Sequence, residues 1–411
     1  MSKQHEKFKL KPTHQHKDLE FPKDFLWGSA TSAHQVEGWN DNNDWWDWEQ
    51  KTAGIEKSGK ACDHYHLFKD DFILAKSLGH NAHRLSLEWS RIEPERGKWN
   101  KEALNHYREV LKELKRQGLK SFVTLHHFTN PVWFMKNGGW ANSEAKESYG
   151  RYVKVVVESL GDLVDFWITI NEPMVYATQS YWYGRWPPQK RNLFSMWRVV
   201  RNMAAAHRKA YRIIHRMYPD AQVGLAKHLV AFIPEKTSRL KDGVVMGLGD
   251  LWFNHFFYRL TRGKHDFVGV NYYFAVTKQW RILSTSIKDV VWKGDTSDLN
   301  WPIRPEGFKH VLLHMKRHGL PLYVMENGLA DADDKQRADF IRDHLRMIEE
   351  AQKEGVDVRG YLHWSLMDNF EWDLGFGPKF GLVEIDYETL KRKPRPSAYV
   401  YKAIIDSAKS I

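Results

Sequence analysis

The sequence is poor in features that mark secreted, membrane-spanning or multidomain proteins. It contains one cysteine, Cys62, so an intramolecular disulfide is impossible and nothing requires an oxidising compartment. There is no run of eighteen apolar residues, which excludes a membrane-spanning helix. No stretch rich in Pro, Gly or Ser divides the chain. A chain of 411 residues is either two or three average domains or one large α/β barrel, and the missing linker favours one domain.

Several motifs of well-known chemistry are also missing. The sequence has no GxxxxGK[ST] phosphate-binding loop, no dinucleotide-binding fingerprint and no HExxH zinc motif. A nucleophile elbow built around a serine is absent as well. These absences argue against nucleotide-dependent, zinc-dependent and serine-hydrolase chemistry. We therefore expect neither a cofactor nor a metal in the active site.

Basic residues are in excess but are not concentrated. The formal net charge is +11, yet Lys and Arg are scattered among Asp and Glu, as on a solvated surface. Binding to nucleic acid or to a membrane surface is therefore the less favoured alternative. Residues 1–18 are polar and basic without the apolar core of a secretory signal, so we expect a disordered tail and a cytoplasmic protein. His5, His14 and His16 lack a fixed spacing, which argues against a metal site in that tail.

The remaining residues, 19–411, alternate between predicted strands and predicted helices. Helical spacing is clear where Ala103, Tyr107 and Val110 share one face ahead of Gly118. Eight predicted strands begin at Phe25, Asn81, Ser121, Val164, Val223, Phe267, Leu322 and Val358. Eight strand and helix units predict an α/β fold, a single closed (β/α)8 TIM barrel. In this fold the functional residues lie at the carboxyl ends of the strands.

Two glutamates stand at the ends of predicted strands. The apolar segment 164–173, VDFWITINEP, ends at Asn171 and Glu172, and the segment 322–325, LYVM, ends at Glu326. Two carboxylates so placed are a candidate acid/base and nucleophile pair, with buried ion pairs as the alternative. The other polar and aromatic residues at strand ends are Gln35, Trp89, His127, Asn271, Tyr273 and Trp364. Groups that bind hydroxyls, rings that stack and paired carboxylates favour cleavage of a neutral carbohydrate.

Four motifs together resemble glycoside hydrolase family 1, the β-glucosidase and β-galactosidase family. They are FLWGSATSAHQVEG at 25–38, TINEP at 169–173, YVMENG at 323–328 and YLHWSLMDNFEW at 361–372. The resemblance extends from Phe21 to about Ile404. It implies a (β/α)8 barrel and a retaining, two-step hydrolysis of terminal, non-phosphorylated β-D-glycosides through a covalent glycosyl-enzyme. The implied activities are those of a β-glucosidase and also of a β-galactosidase or β-fucosidase.

The resemblance also implies catalytic roles. Glu172 corresponds to the general acid that protonates the departing oxygen, and Glu326 to the nucleophile that attacks the anomeric carbon. A retaining pair lies about 5 Å apart and needs opposite protonation states. Arg84 resembles the family arginine that keeps the nucleophile charged, although it can also be a structural ion pair. Tyr273 would donate a hydrogen bond to the nucleophile, and Asn271 would support the same site.

A pocket for the terminal sugar follows from the same resemblance. The residues expected to bind its hydroxyls are Gln35, His127, Asn171, Tyr273, Glu371 and Trp372. Trp364 would form the platform under the ring. A carboxylate at Glu371 accepts hydrogen bonds from neutral 4- and 6-hydroxyls and repels a phosphate, which argues against a phospho-glycosidase. The expected partner is a small β-glycoside or oligosaccharide, and a catalytically silent sugar-binding barrel is the alternative.

The sequence departs from the family pattern at two positions and in two loops. Phe128 replaces the usual tryptophan and removes an indole N–H donor, which leaves the choice among gluco, galacto, fuco and manno sugars open. Met325 replaces the usual threonine before the nucleophile and changes either its hydrogen bonding or only the packing. Residues 231–265 and 279–305 look shortened. Shorter loops predict a wider cleft that accepts small and bulky leaving groups alike.

Overall fold

Eight parallel strands close into a barrel in the computed structural model, which describes residues 19–233, 240–276 and 294–408. The tail predicted at residues 1–18 lies outside the described residues, as do parts of both spans predicted to be short. The barrel strands are β1 Leu26–Ala30, β2 Ala82–Ser86, β3 Lys120–Thr124, β4 Phe166–Asn171, β5 Gln222–His228, β6 Val268–Asn271, β7 Leu322–Asn327 and β8 Val358–Trp364. Each strand pairs with the next, and β8 pairs with β1. The predicted (β/α)8 barrel is confirmed.

A long helix follows each barrel strand. These helices are α1 His64–Ser77, α2 Lys101–Arg116, α3 Ala145–Leu160, α4 Leu193–Met217, α5 Leu240–Asp250, α6 Pro305–Met315, α7 Arg337–Lys353 and α8 Pro396–Ala408. The shorter α-helices are Ala33–Val36, Asp44–Lys51, Trp89–Ile92, Val132–Lys136, Pro173–Thr178 and Phe256–Leu260. Among the described residues, no helix combines the length and the apolar character that crossing a bilayer requires.

The remaining elements are short. Single 3₁₀ turns occur at Gly139–Ala141, Gly161–Leu163, Lys316–His318 and Trp372–Leu374. Within the described ranges, two segments are π-helical, Gln179–Tyr183 and Leu251–His255. The same ranges contain two small sheets outside the barrel, one of Ala231–Phe232 with Ala275–Val276 and one of Val383–Ile385 with Arg392–Pro394. The π-helical segments matter below because they change which residues share a helix face.

Helix α2 illustrates how local sequence sets the element boundaries. The Asn100 side chain accepts hydrogen bonds from the backbone N–H groups of Glu102 and Ala103 at 3.0 and 3.1 Å, which caps the first turn. Tyr107 and neighbours at helical spacing are buried against the barrel. The chain leaves the helix at Gly118, whose φ of +66° is a conformation that other residues rarely adopt.

The apolar core forms two layers. An inner layer fills the barrel and is made by Ala82, Phe122, Ile168, Ala226, Phe267, Tyr323, Met325 and Leu362. The outer layer lies between strands and helices and includes Val123, Trp167 and Val324. Met325 packs in the inner layer beside Gly269, where an added Cβ atom would lie 3.1 Å from its Cγ. This methionine, which departs from the family pattern, therefore serves the packing of the barrel interior.

Side chains along a strand normally alternate between its two faces, and this alternation is interrupted in β4 and β7. Ile168 belongs to the inner layer but Ile170 to the outer one, and the β4–β5 pairing shifts register between Ile168 and Asn171. In β7 the pairing with β6 shifts register just before Glu326. Such β-bulges re-aim side chains and are common beside active sites. Here they occur at the ends of the two strands that lead to the predicted catalytic glutamates.

Candidate active site

The carboxyl ends of the barrel strands bring the predicted site residues into one cluster at the barrel mouth. Strand ends and the residues just after them contribute Arg84, His127, Asn171, Glu172, Asn271, Tyr273, Glu326 and Trp364. Gln35 lies on the short helix Ala33–Val36, and the loop after β8 carries Glu371 and Trp372. Most of these side chains are buried. The structure therefore brings the residues selected from the sequence together at one end of the barrel.

Glu326 is held by hydrogen bonds on both carboxylate oxygens. Arg84 Nη1 donates to Oε1 at 2.5 Å, and the Tyr273 hydroxyl donates to Oε2 at 2.7 Å. Arg84 is fully buried and is fixed by further hydrogen bonds to Asn171 Oδ1 at 2.7 Å and Thr124 Oγ1 at 3.1 Å. Burial raises the pKa of Glu326 above its ordinary value, and the Arg84 cation and the Tyr273 hydroxyl oppose this rise. These two contacts stabilise the ionised carboxylate.

Glu172 has a different environment. Its Oε1 accepts a hydrogen bond from Asn271 Nδ2 at 2.8 Å, and His228 Nδ1 is 3.7 Å away. Burial, followed by the negative charge of Glu326, raises the pKa of Glu172 to about 8. At pH 7 this side chain is therefore mostly protonated. The pKa of both carboxyl groups is raised by burial, but only Glu326 contacts a cation and a hydroxyl donor that favour its ionised form, as a nucleophile requires.

The backbone at Glu172 is in the left-handed region, with φ 43° and ψ 57°. A non-glycine residue there costs about 1–2 kcal/mol. Pro173 follows directly and starts the helix Pro173–Thr178, so the chain turns sharply at the end of β4. Strain of this kind persists where the surrounding structure fixes the residue. The turn points the Glu172 carboxyl group toward the barrel mouth.

Asn271 and Asn171 connect the two glutamates through one chain of hydrogen bonds. Asn271 Nδ2 donates to Glu172 Oε1 at 2.8 Å and to Asn171 Oδ1 at 3.2 Å. The same Asn171 oxygen accepts a hydrogen bond from Arg84, which also donates to Glu326. The two carboxyl groups therefore belong to one hydrogen-bonded site, and the negative charge of Glu326 acts on Glu172.

Aromatic faces and polar tips surround the carboxylates. The His127 ring is nearly parallel to the rings of Trp364 and Trp372, at interplanar angles of 21° and 15°. His127 Nε2 lies 3.2 Å from Asn171 Nδ2, and Trp364 Nε1 donates to Glu371 Oε1 at 3.1 Å. Burial raises the pKa of Glu371 to about 8. This arrangement suits a ring with an apolar face and several hydroxyl groups.

Gln35 completes the polar side of the pocket. Its Nε2 donates to Asn369 Oδ1 and to the backbone carbonyl of Phe370, both at 2.8 Å, and Ser32 Oγ donates to its Oε1 at 2.6 Å. Because every polar atom of the amide has a partner, its orientation is fixed.

Two aromatic residues clarify the limits of the pocket. Trp89 was predicted at a strand end, but its ring is buried outside the barrel against Phe134 and Tyr152, with Nε1 donating to Glu93 at 2.8 Å. Its ring therefore packs in the outer layer of the core and lies outside the pocket. Phe128 packs against Trp372, with ring centroids 5.2 Å apart. An apolar ring at this position therefore supports Trp372.

Sequence analysis missed two basic residues at the end of β5. Lys227 is fully buried, donates from Nζ to the backbone carbonyl of His228 at 2.9 Å, and lies 4.3 Å from the Phe253 ring centroid. Burial lowers the pKa of Lys227 to about 7, and the charge of Glu172 opposes this shift. Applying the strand-end rule to the fifth strand would have identified both residues.

Comparisons with known proteins agree with this architecture. The sequence profile described as "Glycosyl hydrolase family 1" matches residues 17–258 and 251–410. "Beta-glucosidase A" of Acetivibrio thermocellus is 31% identical, and the aligned region covers 94% of this chain and 98% of that protein. That alignment spans 440 positions, more than the 411 residues of this chain, so the chain is shorter in places.

Two further proteins extend the comparison. A "6-phospho-beta-galactosidase" of Clostridium acetobutylicum is 30% identical, with 93% of this chain and 96% of that protein covered. The solved structure of a "beta-glycosidase from Pyrococcus horikoshii" is 41% identical and superposes with a TM-score of 0.88, covering 95% of this chain and 96% of that chain. Fold, site and sequence therefore agree, and the chain belongs to glycosyl hydrolase family 1 as a β-glycosidase of that family.

Proposed function

We propose that the barrel of residues 19–411 is a retaining β-glycosidase that hydrolyses terminal, non-phosphorylated β-D-glycosides. In this proposal Glu172 is the general acid and base, and Glu326 is the nucleophile. The observation that carries it is the pair of buried carboxyl groups in one hydrogen-bonded site, one bound to Arg84 and Tyr273 and the other with a pKa of about 8. The presence of both carboxyl groups also argues against a silent sugar-binding barrel.

The first step forms a glycosyl-enzyme. Glu172 donates its proton to the glycosidic oxygen while Glu326 attacks the anomeric carbon, so the aglycone leaves as a neutral alcohol. Arg84 and Tyr273 keep Glu326 ionised and oriented for this attack. The Asn171 amide, fixed by Arg84 at 2.7 Å, is placed beside the acid to bind the 2-hydroxyl.

The second step releases the sugar. Once Glu326 is esterified it carries no negative charge, so one of the causes that raise the pKa of Glu172 is removed. The Glu172 carboxylate left by the first step then accepts a proton from water as the water oxygen attacks the anomeric carbon. The bond from that carbon to Glu326 breaks, which returns the Glu326 carboxylate and the protonated Glu172. Two displacements at the same carbon return the β configuration.

The substrate class follows from the groups around Glu371. Its Oε1 accepts a hydrogen bond from the neutral indole of Trp364. A sugar phosphate at this position would bring its charge into a buried pocket where the hydrogen-bond partner of Glu371 is not a cation, and an unpaired buried charge is costly. We therefore assign neutral sugars as the substrates, although one relative is named a 6-phospho-β-galactosidase.

One assay tests the proposed function. Purified protein is incubated separately with 4-nitrophenyl β-D-glucoside, with the corresponding β-galactoside and with the 6-phospho-β-galactoside. Proton NMR then shows which anomer of the free sugar forms first. We expect turnover of both neutral glycosides, release of the β anomer first, and kcat/KM about 100-fold or more lower for the phosphorylated substrate. Initial release of the α anomer, or preference for the phosphorylated sugar, would contradict the proposal.

Lys227 is expected to adjust the pKa of the acid only slightly. Its own pKa is about 7, so at pH 8, where Glu172 titrates, most of the lysine is neutral. Lys227→Met should therefore move the alkaline limb of the kcat/KM profile upward by no more than about 0.3 pH unit. Lys154→Met, on the exposed face of α3, is the matched control and should leave the profile unchanged. An upward shift of about one pH unit or more would contradict this expectation and show that Lys227 stays charged beside Glu172.

A further inference from the structure

A second cluster of metal-binding residue types lies outside the active site. Asp250 ends α5, His255 ends the π-helical segment Leu251–His255, and His314 lies on α6. One potential ligand atom from each residue falls within 4.8 Å of the other two. Asp250 Oδ2 is 3.4 Å from His255 Nε2 and 3.6 Å from His314 Nδ1. We refer to these three residues as the Asp250 cluster.

The π-helical turn brings two of the three residues together. Asp250 and His255 are five positions apart, and in an α-helix such residues point about 140° away from each other. A π-helical turn has its hydrogen bonds between residues five apart, so those residues return to nearly the same face. Segments of this kind are often found at functional sites. The local backbone thus brings a carboxylate and an imidazole together opposite His314.

The facing atoms are buried and lack hydrogen bonds. His255 is 3% exposed, and neither its Nε2 nor His314 Nδ1 has a hydrogen-bond partner within the described structure. Buried polar atoms are normally paired, so two such atoms aimed at one carboxylate oxygen need an explanation. A cation held between the three atoms would satisfy all of them at once. Simple ion pairing of protonated histidines is the alternative that an experiment must separate.

The groups behind the ligand atoms hold them in place. Asn254 Nδ2 donates to Asp250 Oδ1 at 2.7 Å, which leaves Oδ2 facing the histidines. His255 Nδ1 lies 3.4 Å from His318 Nε2, and a proton between these two nitrogens leaves Nε2 of His255 with a free lone pair. Metal-binding histidines almost always have such a partner on the other ring nitrogen. The surrounding contacts therefore match those of a ligand set.

The geometry points to zinc. In a tetrahedral site with bonds of about 2.0–2.1 Å, neighbouring ligand atoms are about 3.3 Å apart. The separations of 3.4 and 3.6 Å from Asp250 Oδ2 are close to this value. Two imidazoles and one carboxylate suit zinc, whereas calcium and magnesium prefer oxygen ligands alone. The His314 side chain is 33% exposed, which leaves an approach for water as a fourth ligand.

We propose that Asp250, His255 and His314 bind one zinc ion that links α5 to α6 on the outside of the barrel. The linked turn also supports the end of β5. Asn254 exchanges hydrogen bonds with the backbone of Val230 at 3.0 and 2.8 Å, and the neighbouring Phe253 ring contacts Lys227. The expected effect of zinc is therefore on stability rather than on bond cleavage, because the catalytic glutamates are not among the ligands.

Zinc binding to the full chain tests this proposal. Protein freed of metal with a chelator is titrated with Zn²⁺ by calorimetry, and thermal unfolding is recorded with and without the ion. We expect one tight site per chain and a higher melting temperature with zinc. His314→Gln removes one ligand at a partly exposed position and should weaken that site by about 100-fold or more. It should also abolish the thermal shift.

Two controls keep the result interpretable. His310→Ala removes a neighbouring ring, 4.0 Å from that of His314, that is not among the proposed ligands, and it should retain the tight site. Cobalt added in place of zinc should give the strong visible absorption of a four-coordinate ion in the wild type and not in His314→Gln. Equal zinc affinity of the wild type and His314→Gln would overturn the proposal, and the Asp250 cluster would then be a set of ion pairs.

Discussion

Replacing Glu326 with alanine is expected to lower turnover of an aryl β-glucoside by about 10⁴-fold or more, since the attacking group itself is lost. The substitution also opens a space beside the Arg84 guanidinium, which contacts Glu326 Oε1 at 2.5 Å in the wild type. A small anion such as azide or formate can occupy that space and attack the anomeric carbon from the nucleophile's side. We therefore expect added azide to restore part of the activity and to yield the α-glycosyl azide.

Controls for this prediction must separate lost chemistry from lost folding. Removing Glu326 leaves a buried cation unpaired, which destabilises proteins strongly, so thermal unfolding of the variant is measured alongside its activity. Glu326→Gln keeps the side-chain volume and should be as inactive as the alanine variant but without rescue by azide. Glu158→Ala changes a half-exposed glutamate on α3 and should keep full activity. Formation of the β-glycosyl azide by Glu326→Ala would contradict the assignment of Glu326 as nucleophile.

The barrel was predictable because each strand carries a continuous apolar signal and each helix an amphipathic one. Parallel strands buried on both faces read as short apolar runs, and glycines such as Gly118 mark where helices stop. The rule that active sites lie at the carboxyl ends of barrel strands then selected Glu172 and Glu326 without any knowledge of contacts. The family resemblance added roles to residues whose positions were already expected to converge.

The bulges in β4 and β7 were beyond the reach of sequence patterns. A period of two places Met325 and Glu326 on opposite faces of the strand, whereas the structure has Met325 in the inner layer and Glu326 in the barrel mouth. The same rule that found the glutamates also selected Trp89, since it gives the position of a residue but not the direction of its ring. Side-chain direction depends on the local register, which only the pairing between strands reveals.

The Asp250 cluster was invisible for a related reason. An α-helical reading separates Asp250 from His255, and His314 is distant in the sequence. The π-helical turn and its approach to His314 on α6 are both needed to bring the three residues together.

Lys227, in contrast, stands at a strand end. It is buried, and its charged form lowers the pKa of Glu172, an effect that composition alone did not indicate.

Replacing Glu172 with alanine is expected to produce a different pattern, in which the loss depends on the leaving group. Substrates with alkoxide-like leaving groups need the proton and should lose about 10²–10⁴-fold in kcat/KM, the usual contribution of a positioned acid. Dinitrophenyl glycosides leave without protonation, so their first step should be nearly unaffected while the second step becomes slow. A burst of dinitrophenolate followed by slow turnover, recorded by stopped-flow absorbance, checks this expectation.

The pH profile and added azide then distinguish Glu172 from Glu326. Because the acid acts in its protonated form and its pKa is about 8, wild-type kcat/KM should fall as the pH rises through that value. Glu172→Gln cannot ionise, so its profile should stay flat there. Azide needs no general base, so it should accelerate the second step of Glu172→Ala and yield the β-glycosyl azide, opposite to the product of Glu326→Ala. If both variants gave the same anomer, the two glutamates would not hold the separate roles that their different environments imply.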